Sequence, residues 1–275
     1  MINTSENFKY KIIQTEDGTP TIYSDEYNES MHSIYGAYEE ALYKHIYPSR
    51  ILELNKKEIS ILDIGFGIGY NALASIIEFK NKRPNSIIDI VSFEKDRSFI
   101  HLLDSIQFND ERDEYYKVLK IALKEGQYKS GNLSIMIIYG DARESIKSFK
   151  NIKFNAVFQD PFSPGKNPEL WTVEFFKEIY NIIDEKGILT TYSSAPQIRR
   201  GLIEAGFIIG KGPSVGKKRE GTLASKTDAI PELSGDKIKS LMEDIKSTPY
   251  HDYTFKENRE DILTGRINTM KKIRA

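Results

Sequence analysis

From residue 59 onward, short apolar runs alternate with helix-length segments: ISILDI (59–64), IIDIVSF (87–93), LSIMIIY (133–139), FNAVFQ (154–159) and GILTTYS (187–193). Runs that are apolar on both alternate sets of positions belong to strands covered on both faces, which predicts a mainly parallel sheet with helices above and below. Two further runs, 206–209 and 221–224, lie close enough together to form an antiparallel pair. The expected fold class is therefore α/β: a doubly wound, mainly parallel seven-stranded sheet with an antiparallel last hairpin. Before it, residues 9–24 are β-prone on both sides of Asp17-Gly18-Thr19-Pro20, a turn signal that predicts a hairpin. Ala37, Ala41, Leu42 and Ile46 share one helical face within 36–47, and Pro48 ends that helix. The polar, Tyr- and Lys-rich stretch 108–130 predicts a helical insertion, and beyond residue 226 the chain turns polar, with Pro231 and Pro249. These shifts divide the chain into an N-terminal extension (1–58), a core (59–226) and a C-terminal tail (227–275).

Composition narrows the chemistry. With 39 Lys+Arg against 40 Asp+Glu among 275 residues, any polyanionic partner must be held by a local patch. There is no cysteine, which removes disulfides, thiolate metal sites and every mechanism with a Cys nucleophile. The four histidines, His32, His45, His101 and His251, show no metal-ligand spacing, so no metal is expected. No apolar run approaches a membrane span, and the polar start MINTSENFKYK lacks a signal-peptide core, so a cytoplasmic protein away from membranes is expected.

The strongest local signal is Asp63-Ile64-Gly65-Phe66-Gly67-Ile68-Gly69-Tyr70-Asn71, between the run ISIL and a helical segment. A glycine turn from strand to helix lets a ligand approach the backbone at a helix N-terminus. The dinucleotide fingerprint requires a third glycine where Tyr70 stands, and Asp63 would set a carboxylate beside two phosphates. A cation without phosphate suits the loop better. S-adenosylmethionine, which carries a sulfonium and an ammonium, is such a ligand, and D-x-G-x-G-x-G resembles the first motif of doubly wound methyltransferases. Glu94, ending the second strand, suits two ribose hydroxyls, and Asp141, after the third, suits an adenine amino group. Each read alone is equally a solvated carboxylate or a helix cap. Asp160 ends the fourth strand, where an acidic residue faces the transferable methyl. His32, Tyr35 and Glu39 are placed to close over the cofactor from the N-terminal segment.

The run Asp160-Pro161-Phe162-Ser163-Pro164-Gly165-Lys166-Asn167-Pro168-Glu169-Leu170-Trp171, then Tyr192-Ser193-Ser194-Ala195, Arg199-Arg200-Gly201-Leu202, Ala205-Gly206-Phe207 and Gly216-Lys217-Lys218-Arg219-Glu220, resembles the methyltransferase half of MnmC. The likeness extends upstream to Asp17-Gly18-Thr19-Pro20 and Met31-His32-Ser33, and downstream to PYHDYTFKENREDIL. Pro161 departs from the small residue usual there. No second glycine loop follows residue 226, so the expectation is the stand-alone form, with a separate oxidase or other enzyme supplying the amine. The resemblance implies methyl transfer from S-adenosylmethionine to the amine of 5-aminomethyl-2-thiouridine at the tRNA wobble position. The absent cysteine agrees, because methylating a pyrimidine C5 usually needs a thiol to add to the ring, whereas an amine has its own lone pair.

The candidate cofactor residues are thus Glu39, Asp63, Gly65, Gly67, Gly69, Asn71, Glu94, Asp141 and Ala142, with Asp160 as the catalytic residue. A carboxylate titrating near pH 4 is too weak a base to keep an alkylammonium proton, so Asp160 is assigned orientation of the amine. For the tRNA the candidates are Phe162, Lys166, Trp171, Arg199, Lys217, Lys218 and Arg219, with Arg200 and Lys211 adding to the patch. Trp171 either stacks on the base or anchors its loop. The competing functions are an aminopropyltransferase of the spermidine synthase type, whose loop usually reads G-G-G-x-G, and a non-catalytic RNA-binding module.

Overall fold

In this computed structural model, which describes residues 9–32, 34, 36–214 and 220–274, the apolar runs become strands of one eight-stranded sheet. The first described elements form a small antiparallel sheet of β1 (Tyr10–Gln14), β2 (Pro20–Ser24) and β3 (Glu29–Ser30). Its first turn is the anticipated hairpin, with Gly18 at φ +79. Helix α1 (Ala37–Glu40) continues directly into π-helical turns, Ala41–Ile46. There follow β4 (Glu58–Ile64), α2 (Tyr70–Lys82), β5 (Ile87–Glu94), α3 (Arg112–Glu125), β6 (Gln127–Ser130), β7 (Leu133–Tyr139), α4 (Ala142–Ser145) and β8 (Phe154–Gln159). The last elements are α5 (Val173–Ile182), β9 (Ile183–Thr191), α6 (Pro196–Glu204), β10 (Ile208–Lys211), β11 (Thr222–Ser225), α7 (Gly235–Glu243) and α8 (Arg259–Arg274).

The large sheet runs β10-β11-β9-β8-β4-β5-β7-β6. Strands β7, β5, β4, β8 and β9 are parallel, and β11 pairs antiparallel with both β9 and β10, giving the anticipated last hairpin. The order reverses between β4 and β8, which opens a crevice at the strand carboxyl ends. The eighth strand corrects the expected count of seven. Helix α3 buries Tyr116, Leu119, Ala122 and Leu123, stops at Gly126 (φ +80), and the chain returns as β6 on the edge of β7. QYKS is polar because its side chains are largely exposed at the edge of the sheet, so it carried no apolar signal.

Side chains alternate across the sheet with period two, and this decides what shares the crevice. Ile59, Ile61, Ala156 and Phe158 join the core under helices α1–α3, whereas Leu62, Ile64, Val157 and Leu189 join the core under α5 and α6. Continuing each strand by two residues from Ile61 and Phe158 sets Asp63 and Asp160 on the α1–α2 face, and Thr190 pairs in register with Phe158. The π-helical turns bury Lys44, His45 and Ile46 together against that face.

Candidate active site

The glycine loop is built by three left-handed residues, Gly65 (φ +89), Gly67 (φ +55) and Gly69 (φ +89). At Gly65 a Cβ would lie 2.8 Å from the Pro161 Cα and 2.9 Å from the Asp160 carbonyl, so this glycine lets the loop after β8 close over the turn. The Gly67 N–H donates to Glu94 Oε2 at 2.8 Å, and the Asp96 N–H to Oε1 at 3.0 Å, fixing the carboxylate that ends β5. Burial pushes the Glu94 carboxyl up, against the backbone N–H groups of Asp96, Gly67 and Lys95.

Above the loop lies a cavity of about 340 Å³. Its wall includes six carboxylates, of Glu26, Glu94, Asp96, Asp141, Asp160 and Glu169, against three basic side chains, Lys9, Lys95 and Arg143, of which Lys9 and Arg143 are already paired. That charge balance suits a cation and opposes a pyrophosphate. Under the loop, Asp63 is buried with Oδ2 unpartnered, and burial, then the Asp160 charge, push its carboxyl well above the usual range. A sulfonium or ammonium above the loop would supply the missing counter-charge, so these residues fit S-adenosylmethionine.

A second recess of about 230 Å³ adjoins the first and shares Met31, His32, Asp160, Pro161 and Phe162 with it; Glu29, Glu40 and Tyr192 complete its acidic side. Asp160 therefore stands at the boundary of two cavities. Asn71 Nδ2 donates to Asp63 Oδ1 at 3.1 Å and to Asp160 Oδ2 at 3.0 Å, and His45 Nε2 lies 3.5 Å from Asp160 Oδ1. Burial pushes the Asp160 carboxyl up, but His45, then His32 and the Asn71 amide, outweigh it and hold the group below the usual carboxylate range. The loop carrying Asp160 is pinned by side chains: Trp171 Nε1 donates to the Phe162 carbonyl at 2.9 Å, Tyr192 Oη to the Pro161 carbonyl at 3.0 Å, and Ser163 N and Oγ to Glu29. Phe162 stacks on Tyr27 at 4.2 Å between ring centroids.

Of the residues anticipated for the cofactor, Gly65, Gly67, Glu94, Asp141 and Ala142 line the larger cavity. Asp63, Gly69 and Asn71 support the loop from behind instead, Gly69 against the Phe66 ring. Asp141 caps α4 and binds the Arg143 guanidinium through both oxygens, while Arg143 also reaches the buried Asp252 of the tail. Glu39 is not brought to the site: it is exposed, and the next residue, Glu40, takes the buried position on the smaller recess. His32 lines both cavities, with Nδ1 3.0 Å from Thr21 Oγ1. Tyr35 lies outside the described residues.

The acceptor-side expectations divide. Phe162 lines both cavities, and Lys166 is partly exposed on the same loop. Trp171 is fully buried with its indole N–H bonded to the loop, so it anchors Phe162 and has no face to offer a base. Arg199 is a brace, donating to Thr222, Glu220 and the Gly221 carbonyl; Arg200 pairs with Glu204, and Lys211 with Glu220. Lys217, Lys218 and Arg219 lie outside the described residues. The sequence reading missed Glu40, which shares the inward helical face with Ala37 and Ala41, and His45 and Tyr192, whose placement depends on the π-helical turns and on strand neighbours distant in sequence.

A family model described as S-adenosyl-L-methionine-dependent methyltransferase matches residues 107–227. The crystal structure of MnmC2 from Aquifex aeolicus superposes with a TM-score of 0.88 at 36% identity, covering 98% of this chain and 87% of that one. An uncharacterised protein of Methanocaldococcus jannaschii is 35% identical over 97% of this chain and 74% of its own length. The bifunctional tRNA 5-methylaminomethyl-2-thiouridine biosynthesis protein MnmC of Ralstonia nicotianae is 29% identical over 76% of this chain. With the doubly wound sheet, the glycine loop and the acidic crevice, these matches define an S-adenosyl-L-methionine-dependent methyltransferase. Within that class, the chain belongs to the MnmC2 family. It spans about a third of the length of the bifunctional relative, 33%.

Proposed function

We propose that this enzyme transfers a methyl group to the primary amine of 5-aminomethyl-2-thiouridine in tRNA. The observation that carries the reading is Asp160, held ionised where a cavity suited to the cofactor meets a second, acidic recess. S-adenosylmethionine would supply an electrophilic methyl on a sulfonium, the methyl–sulfur bond breaking as the C–N bond forms and S-adenosylhomocysteine leaving as the neutral thioether. Glu94, Asp141, Ala142, Gly65 and Gly67 line the larger cavity together, which supports Glu94 as the acceptor of the ribose hydroxyls, Asp141 and Ala142 as the adenine contacts and the two glycines as the point of close approach. In the smaller one, Glu29, Glu40 and Asp160 attract the acceptor as an ammonium, and Phe162 and Tyr192 wall the base. Asp160 then accepts a hydrogen bond from the amine and aims its lone pair across the boundary. A carboxylate held below its usual range does not retain the amine's proton, which leaves to solvent before the C–N bond forms. Lys166 and the Lys217-Lys218-Arg219 stretch are assigned to the tRNA backbone.

The test is direct. tRNA bearing 5-aminomethyl-2-thiouridine, incubated with the protein and S-adenosylmethionine and digested to nucleosides, should show the aminomethyl nucleoside replaced by its methylamino form. Persistence of the aminomethyl nucleoside would refute the proposal. Aminopropyl transfer from the decarboxylated cofactor, in the same assay, would favour the spermidine synthase type of reaction.

A further inference from the structure

His45 is a fully buried imidazole that the reaction just described leaves without a task. Its Nδ1 lies 2.9 Å from Thr190 Oγ1 on β9, its ring is tilted against Phe158 on β8, and its Nε2, which has no hydrogen-bond partner, faces Asp160 Oδ1 at 3.5 Å. The π-helical turns make this possible. The wider spacing of a π turn lets Lys44 and His45 both face inward, Lys44 reaching the Pro213 carbonyl at 2.6 Å while His45 reaches the sheet. A buried imidazole nitrogen without a partner is costly, and such turns recur at functional sites.

We infer that His45 is a positioning residue for the methyl transfer: the Thr190 hydroxyl donates to Nδ1, which leaves the proton on Nε2, and that N–H faces Asp160 Oδ1. The inference rests on the role given to Asp160 above. With Asn71 Nδ2 on Oδ2, both oxygens of the carboxylate are then met by donors from behind, and the remaining lone pairs are turned to the cavities. The charged and titratable groups around Asp160 are Asp63 from β4, His32 from the segment after β3, His45 from the π turns and Tyr192 from the end of β9, with Glu29 and Glu40 across Tyr192. The Asp63 carboxyl, itself pushed up by burial and by Asp160, offers Asp160 no counter-charge, so His45, with His32 and the Asn71 amide, is what favours its ionised form.

Two variants separate this from a packing role. His45→Leu keeps the volume approximately and removes both ring nitrogens; His45→Gln keeps a side-chain N–H of similar reach. Titration of the Asp160 carboxyl carbon by 13C NMR needs no acceptor, so it judges the inference even if tRNA methylation fails. The expected result is an upward displacement of at least about one pH unit in the Leu variant, largely reversed in the Gln variant. Single-turnover methyl transfer should fall about tenfold or more at neutral pH in the Leu variant through lost orientation of the carboxylate, while cofactor Kd changes less than about threefold. Thr190→Val, which removes only the hydroxyl fixing the tautomer, should displace the Asp160 titration in the same direction by a smaller amount and stands in if the Leu variant does not fold. An Asp160 titration unmoved in folded His45→Leu, or unmoved in Thr190→Val where the Leu variant is unfolded, overturns the inference. A Gln variant as impaired as the Leu variant also overturns it. An absence of methyl transfer by the wild type would refute the proposed reaction alone.

Discussion

Replacing Asp160 by Asn isolates its charge from its shape. The side chain keeps its volume and one oxygen, yet its amide end cannot accept from the nucleophile, and where Asn71 now bridges two carboxylates it would meet a second amide. A hydrogen bond to a charged group contributes about 1.5–3 kcal/mol, which as an interaction confined to the transition state is roughly a 10- to 150-fold fall in rate. Cofactor binding should survive, because the larger cavity retains the Glu26, Glu94, Asp96 and Asp141 carboxylates. The assay is single-turnover transfer of labelled methyl to aminomethyl-tRNA, with calorimetric cofactor Kd measured beside it. A free alkylamine titrates near 10.4, so the wild-type rate should climb from about pH 7 to about pH 9, whereas a carboxylate base would give a plateau above about pH 5. An Asn variant within about twofold of wild type, or a flat wild-type profile over that range, would refute the assignment of orientation to Asp160.

Asp63→Asn should raise the Tm of the cofactor-free protein at pH 8 yet weaken cofactor binding about tenfold. Its carboxyl is pushed up by burial and by Asp160, so the folded state becomes less stable as pH rises toward that elevated pKa, and calorimetry showing no gain in Tm would contradict this. Asp96 behaves in the opposite sense. Burial would push it up, but Lys9, the Ser98 N–H and the Tyr10 hydroxyl hold it at about 2 against a usual 3.8. Screened by solvent because the pair is partly exposed, it contributes about 1 kcal/mol, present above about pH 4 and lost as pH falls through about 2. Urea midpoints of wild type and Asp96→Asn should thus converge in acid, and a pH-independent gap would exclude the linkage. Lys217→Ala with Lys218→Ala should weaken tRNA binding and lower the log–log salt slope by about one per lost phosphate contact; an unchanged slope would mark these lysines as a solvated surface.

The parts of this enzyme that could be read from its sequence are those in which neighbours in the chain are neighbours in space. The strand-to-helix turn at Gly65, Gly67 and Gly69 is such a segment, as are Glu94 and Asp160, which sit at strand ends that apolar runs locate to within a residue or two. Edge strand β6 was not visible, because pairing on one side leaves QYKS free to be polar. Trp171 and Arg199 show a second limit. An aromatic on a proline-rich loop and an arginine in a basic stretch look available for a partner, and only the Phe162 carbonyl under one and the Glu220 carboxylate beside the other show that they are already occupied.

Glu39 and Glu40 expose the physical reason most clearly. Ordinary α spacing from the buried Ala37 sets Glu40, Ala41 and Lys44 on the inward face and leaves Glu39 outside, and the change to π spacing at Ala41 then brings His45 inward beside Lys44. That change has no composition of its own; it is selected by what it brings together. One π stretch places His45 over Phe158, in register with Thr190 and two residues from Asp160 along β8. The period-two alternation of the strands then sets Asp63, Asp160 and Thr190 on the same face beneath it. The carboxylate at the cavity boundary, the buried carboxyl bridged to it by Asn71 and the imidazole that faces it, with the Thr190 hydroxyl behind, are thus assembled from three strands and a helix. Their sequence separations, such as 145 residues from His45 to Thr190, exceed anything a local pattern reports.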